Sequence, residues 1–302
     1  MSGVGVIVPV YGEGPYLPET LDSVFAQVPP PDQVVVVDDG SPEPVSLPAR
    51  HEARCRLVRR PQRGGPGPAR ATGLEALQSG LIALADADDV WEAGKLAAQL
   101  QALGHDPGAA VCFGPVTVVD RAGAPTGERW DWPAGAPLDG EQFVRRLFEH
   151  NPIALATTVI RRDRLVAAGG FHAPAPLAED YDLWLRLAAR GERFLYEPQA
   201  RVRLRRHDRS LSWDIAALAS SLLTVREVHA GLVDPVLARR MRASDLRAYA
   251  QGSIRRRGYA DARRALAQAA ELEPPNARMR ALAAAVRVPG LRGALGRRYP
   301  YR

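Results

Sequence analysis

The sequence predicts an α/β domain built on a largely parallel sheet, followed by a small helical region. Three observations predict it. Short apolar runs end abruptly in carboxylates: Val34–Val37 before Asp38 and Asp39, and Leu81–Leu84 before Asp86, Asp88 and Asp89. Such runs read as buried strands whose carboxyl ends carry the polar groups, where open α/β sheets bind ligands. Segments with helical periodicity lie between them, giving a β-α-β order. From Ile215 the composition shifts to Ala, Leu and Arg with few strand formers, so the division expected is 1–214 and 215–302.

The first strand is Val4-Gly5-Val6-Ile7-Val8-Pro9-Val10-Tyr11, and the proline predicts that it ends and turns there. After Gly12-Glu13-Gly14, Leu17, Leu21, Val24 and Phe25 recur at helical spacing until Pro29-Pro30-Pro31 closes the helix. The second strand, Val34–Val37, runs into Asp38-Asp39-Gly40-Ser41. That tetrad is either a tight turn or a carboxylate site for a base N–H or a ribose hydroxyl. Leu57-Val58 is a short third strand. Gly64-Gly65-Pro66-Gly67-Pro68-Ala69-Arg70 leads into a helix bearing Ala71, Leu74 and Leu77. Glycines before a helix permit close approach to phosphate, and Arg70 can pair with one; a plain Gly/Pro loop is the other reading.

The fourth strand, Leu81–Leu84, delivers Asp86, Asp88 and Asp89, three carboxylates within four residues. They repel one another unless a cation sits among them, and Mg²⁺ or Mn²⁺ would bind both these oxygens and a substrate phosphate. A solvated acidic loop is the alternative. Trp91 to Leu103 reads as a helix with Leu96, Leu100 and Leu103 on one face. Ala110–Gly114 and Val116–Val119 read as strands, and Ala122–Gly127 as a turn. Trp130-Asp131-Trp132-Pro133 is either an acceptor-facing loop or a hydrophobic anchor. Pro152 to Ile160 is strand-forming and precedes Gly169-Gly170-Phe171. Glu179, Asp180 and Asp182 open a helix carrying Leu183, Leu187 and Ala188, where acidic residues also suit the helix dipole. Phe194–Tyr196 is the last strand, and Arg203 to Ser212 a polar loop containing His207.

Together these pieces resemble the family 2 glycosyltransferases. They are a strand ending Pro9-Val10-Tyr11, a strand ending Asp38-Asp39-Gly40-Ser41, the Gly64-Gly65…Ala69-Arg70 loop, and Asp86-Ala87-Asp88-Asp89-Val90-Trp91…Lys95-Leu96. The resemblance covers roughly residues 3 to 212. It implies a GT-A, Rossmann-like nucleotide-diphospho-sugar transferase domain with a divalent cation, Mn²⁺ or Mg²⁺. By this resemblance Pro9, Tyr11 and Glu13 wall the nucleotide site, and Asp39, with Asp38 beside it, reads a uracil-type base edge. Asp86 lies near the ribose, Asp88 ligates the metal, Asp180 is the general base of inverting members, and His207 opens an H-x-x-S-x-S segment that holds metal or diphosphate. Gly12 and Ala71 stand where the family often has Asn.

The function expected is inverting transfer of a sugar from a nucleotide-diphospho-sugar, a UDP-sugar among the candidates, to a glycan or lipid-linked hydroxyl acceptor in cell-surface or extracellular glycan synthesis. The rivals are a nucleotidyltransferase, whose basic N-terminal signature loop is missing from Gly12-Glu13-Gly14, and a catalytically degenerate nucleotide-sugar-binding scaffold.

Composition bounds the rest. The 302 residues are 46% hydrophobic and 25% charged, enough for one large or two modest domains. Net charge is +6, but Val236–Arg302 holds 16 Arg against 4 acidic residues, so the remainder is net acidic. No nucleic-acid partner is expected. Cys55 and Cys112 make no disulfide framework. Without a signal-like start or an apolar run of about 20 residues, the chain is expected to be cytoplasmic. Tyr249 to Pro274 resembles one tetratricopeptide-like hairpin. Arg287 to Arg302 carries five arginines and no acid, read either as a solvated end or as a contact with anionic lipid at the inner face of the membrane.

Overall fold

The computed structural model describes residues 3–12, 14–133, 135–136, 138–208 and 214–288. Glu13, Ser210 and Ser212, and the tail from 289 onward, therefore lie outside the described residues. Contacts divide the chain into two units, Met1–His207 and Asp208–Arg302.

In the first unit β1 (Val4–Val10), α1 (Leu17–Phe25), β2 (Gln33–Asp38), α2 (Ala49–Glu52), β3 (Arg56–Arg59), α3 (Pro66–Ala76) and β4 (Leu81–Leu84) form an alternating α/β half. Then come β5 (Val90–Trp91), α4 (Lys95–His105), β6 (Ala109–Phe113), β7 (Val116–Val119), β8 (Pro125–Trp130), α5 (Gly140–Glu149), β9 (Val159–Arg161), α6 (Arg162–Ala167), α7 (Glu179–Ala189), β10 (Arg193–Tyr196) and β11 (Val202–Arg205). The main sheet has the order β10-β6-β9-β4-β1-β2-β3. It is parallel except for β9, which runs antiparallel to β4 and β6. A second sheet has the order β5-β11-β7-β8.

Alternation along β1 explains the layering. Val4, Val6, Val8 and Val10 pack with Leu17 and Leu21 of α1 and Leu96 of α4. Ile7 points to the other face, where α3 lies so close that a Cβ on Gly73 would come 2.5 Å from Ile7 Cγ2. The Val34–Val37 run is wholly buried, as its continuous hydrophobicity requires.

Four details differ from the sequence reading. β1 continues through Pro9 to Val10, in register with Val37 and Asp38. Pro9 faces β4 beyond the last ladder pair, Ile7 with Leu84, where no donor is needed. Trp91 belongs to β5, and the helix begins only at Lys95, after Gly94. Only the end of the Pro152–Ile160 run is strand; Leu155–Thr157 is a 3₁₀ turn, where the Thr157 and Thr158 hydroxyls donate to the Ala154 and Leu155 carbonyls at 2.7 Å. Finally, Val202–Arg205 is a strand rather than loop, held between β5 and β7.

The second unit comprises α8 (Ile215–Val228), α9 (Pro235–Arg255), α10 (Tyr259–Leu272) and α11 (Ala277–Arg287). Asp214, Asp234 and Asn276 cap α8, α9 and α11 by accepting the N–H of Ala217, Leu237 and Met279. Leu246, Ala250 and Ile254 of α9 meet Ala262, Ala265 and Leu266 of α10 and Met279, Leu282 and Val286 of α11 in one small core. A buried Arg226–Asp245 pair ties α8 to α9.

Candidate active site

Strands β4, β1 and β2 are parallel neighbours, so their carboxyl ends emerge together. That topology alone gathers Asp86 and Asp88, Pro9 and Tyr11, and Asp38 and Asp39 along one edge of the sheet.

On the β2 side, Asp38 is built into its turn. Oδ1 accepts the Ser41 N–H at 2.9 Å, Oδ2 accepts the Val45 N–H at 3.3 Å, and Arg59 Nη1 lies 3.3 Å from Oδ2. Burial works against its ionisation, but the Ser41 and Val45 hydrogen bonds outweigh it and hold the carboxyl below the usual range. Gly40 closes the turn at φ +69°, where a Cβ would come 2.5 Å from the Gln62 carbonyl carbon. Asp39 fastens the glycine loop: its carboxylate accepts the N–H of Gly64 at 3.1 Å and of Gly65 at 2.7 Å, and pairs with Arg60. A base edge read by Asp39 would have to share or displace the Arg60 contact. Tyr11 is 44% exposed, with the Arg63 guanidinium 4.1 Å from its ring centroid.

At the end of β4, Asp86 and Asp88 part company. Arg70 on α3 is buried and donates to Asp86 Oδ1 at 2.5 Å and to Glu179 Oε1. The residue read from sequence as a phosphate partner is thus engaged by two carboxylates, joining the end of β4 to the start of α7. Asp88 instead lies with Oδ2 2.9 Å from His207 Nε2. Burial, and then the negative charge of Asp86, raises the Asp88 carboxyl, with His207 acting against them. Asp89 is buried and raised further by burial and by Asp88 and Asp86; its Oδ1 accepts the Arg205 N–H at 2.9 Å.

Asp180 stands at the first turn of α7. Its Oδ1 accepts the Tyr181 N–H at 2.7 Å, and Oδ2 accepts from Asn151 Nδ2 at 3.3 Å. Burial, then the charge of Glu179, pushes the carboxyl up to about 7, against the Tyr181 N–H and Arg70. The preceding Ala178 sits at φ +86°, a left-handed conformation costing a non-glycine residue about 1–2 kcal/mol. Further along α7, Arg186 pairs with Asp182 at 2.7 Å and donates to the carbonyls of Ala168, Gly170 and His172, fastening the glycine turn to the helix.

Of the two readings of the tryptophan loop, Trp132 is an anchor, packed edge-on against Phe113 at 5.5 Å and Phe143 at 5.8 Å. Trp130 is half-buried and donates to Glu128 at 2.8 Å.

Sequence reasoning missed Asn151 and Arg205. Nothing around Asn151 marks it. Arg205 gave no signal either, since the sequence reads 203–212 as a loop.

A profile described as Glycosyl transferase family 2 matches residues 5–165, more than half of the chain. The succinoglycan biosynthesis protein ExoW of Rhizobium meliloti is 39% identical over 99 residues, covering 30% of this chain and 31% of ExoW. The pre-mycofactocin glycosyltransferase of Mycobacterium tuberculosis is 32% identical over 177 residues, covering 56% of this chain and 37% of that protein. The chain therefore spans about a third of the length of these relatives. Among solved structures, the mannosyltransferase PcManGT of Pyrobaculum calidifontis, in complex with GDP-Man and Mn²⁺, superposes with a TM-score of 0.58. It is 23% identical and covers 99% of this chain and 84% of PcManGT, a likeness of fold. Sheet order, carboxylate placement and profile agree: the chain belongs to glycosyl transferase family 2.

Proposed function

We propose that the chain transfers a sugar, with inversion, from a nucleotide-diphospho-sugar to a hydroxyl acceptor in glycan synthesis, using a divalent cation. One observation carries this reading. The Asp88–His207 pair lies at the strand end that also bears Asp86, and Arg70 links Asp86 to the turn carrying Asp180. Arg70 thus ties the carboxylate read as donor-side to the helix start carrying the one read as acceptor-side.

The residues fit a cation such as Mn²⁺ or Mg²⁺. Asp88 offers a carboxylate whose charge burial and Asp86 disfavour, and His207 offers an imidazole nitrogen beside it. Among the described residues no group of three or more His, Cys, Asp or Glu forms a ready metal cage. Ions of this kind can take one or two side chains and complete their shell with substrate phosphate and water. Bound there, the cation would supply electrostatic stabilisation to the diphosphate as charge develops on it.

Asp180 accepts the acceptor hydroxyl's proton as that oxygen attacks the anomeric carbon. A single displacement inverts the centre and needs one base. A carboxyl near 7 is strong enough to take a proton and still ionised in useful amount at neutral pH. Pro9 and Tyr11 wall the nucleotide site, Asp39, with Asp38 beside it, reads the base edge, and Asp86 lies near the ribose, held by Arg70. Glu13 belongs to the same wall by its place in the sequence. The PcManGT complex makes a GDP-sugar a candidate donor beside a UDP-sugar. Lipid-linked or soluble glycans are the acceptor class, and the chain works at the inner face of the membrane, drawn there by its basic tail. The α9–α10 hairpin is read as a single tetratricopeptide-like unit.

The test is a thermal-shift series with UDP or GDP and Mn²⁺. The wild-type chain should be stabilised by the pair together, and chelator or Asp88→Ala should remove that gain while leaving the ligand-free melting temperature in place. Equal stabilisation in Asp88→Ala would sink the metal assignment.

A further inference from the structure

We infer that Arg205 is a positioning residue that fixes Asp88 and His207 relative to one another; the inference rests on the metal reading of that pair. Arg205 ends β11 and is buried. Its guanidinium uses all three nitrogens, each on a different segment. Nε donates to the carbonyl oxygen of Asp88 at 3.1 Å, Nη1 to the carbonyl of Arg121 at 3.0 Å, and Nη2 to the Glu19 carboxylate of α1 at 2.5 Å. The group also lies over the Tyr16 ring, 4.5 Å from its centroid. Its backbone N–H donates to Asp89 Oδ1 at 2.9 Å.

One residue therefore holds both the main-chain carbonyl of Asp88 and the side chain of Asp89 next to it. Two positions beyond the end of β11 lies His207, whose ring sits 5.3 Å from Tyr16 and whose Nε2 meets Asp88. Both imidazole and carboxylate thus take their places from the Arg205 fork and the ring beneath it. Glu19 has a second effect, since its carboxylate offsets a positive charge beside a place meant for a cation. Partners that orient metal ligands typically govern about 10–100-fold in metal affinity.

Arg205→Lys isolates the geometry. It keeps the charge and can reach Glu19, but a single ammonium cannot span the Asp88 and Arg121 carbonyls as the planar fork does. Titration of the full chain with Mn²⁺ in the presence of GDP or UDP should show binding about 10–100-fold weaker in Arg205→Lys. Losing these buried hydrogen bonds should also lower the metal-free melting temperature somewhat, so Mn²⁺ affinity measured well below the melting transition, which a purely structural role would leave unchanged, is the deciding readout. Glu19→Gln should weaken Mn²⁺ in the same direction by less. Donor turnover in Arg205→Lys should need proportionally more Mn²⁺ to half-saturate, and recover at saturation.

Asp88→Ala run in parallel separates the two ideas. Wild-type Mn²⁺ affinity in Arg205→Lys, with binding lost in Asp88→Ala, overturns the role of Arg205 and leaves the metal reading standing. Wild-type affinity in Asp88→Ala removes the metal reading and this inference with it. Should Arg205→Lys fail to fold, Glu19→Gln decides, and unchanged Mn²⁺ affinity there overturns the proposal.

Discussion

Asp180 and Asp88 are both raised carboxyls, but their partners point them to different work. Asp88 meets an imidazole at a strand end, an arrangement a cation would complete. Asp180 meets an amide N–H and a side-chain amide, and shares the field of Arg70 with Glu179 and Asp86. Because a base must be ionised to act, kcat should rise with pH through about 7 and level off above it. Asn151 stabilises the ionised form, and its orientation is set because its Oδ1 accepts the Ile153 N–H at 3.2 Å. Asn151→Ala should move the rising limb to higher pH. A pH–rate profile of both proteins checks this, and a limb near the ordinary carboxylate range of about 4 would remove Asp180 as the base.

At the scale of the element, α4 shows how far a helix will go to close a core. Lys95 in its first turn is fully buried, with Nζ 2.8 Å from Gln99 Oε1 and 3.9 Å from the Trp91 ring centroid. Burial lowers its ammonium from 10.5 to about 7. Between those values the unfolded chain holds a proton that the folded chain has released, so this group makes stability rise with pH across that window. Lys95→Met should flatten the rise in urea-denaturation free energies measured from pH 7 to 9.5, and an undiminished slope would contradict the assignment. The elements themselves were unevenly legible. β2 and β4 were plain because a fully buried parallel strand needs an unbroken apolar run, and their terminal carboxylates came with them. β11 was not, since Val-Arg-Leu-Arg offers little apolar signal and becomes a strand only through pairing with β5 and β7. Arg70 illustrates the same limit at the site. Sequence placed it near phosphate, whereas its two carboxylate partners lie 16 and 109 positions away, beyond the reach of local pattern.

For the whole molecule, two units carry opposite charge balance on one chain. The arginine-rich end follows a helical unit in which no described helix is long and apolar enough to cross a membrane. Deleting residues 289–302 should leave α11 and its core intact while weakening attachment to anionic vesicles. The difference should fade as added salt shortens the screening length below about 8–10 Å. Equal flotation of both forms would leave the tail as a solvated end. The central claim, that one cleft holds the donor by its aspartates and cation while Asp180 acts on the acceptor, is tested most directly by Asp180→Asn. The change keeps size and removes the proton acceptor. Donor affinity by calorimetry with Mn²⁺, beside turnover of the same donor, should show near-wild-type binding and a rate lower by about 10²–10⁴. Near-normal turnover, or donor binding lost together with the rate, would contradict the account.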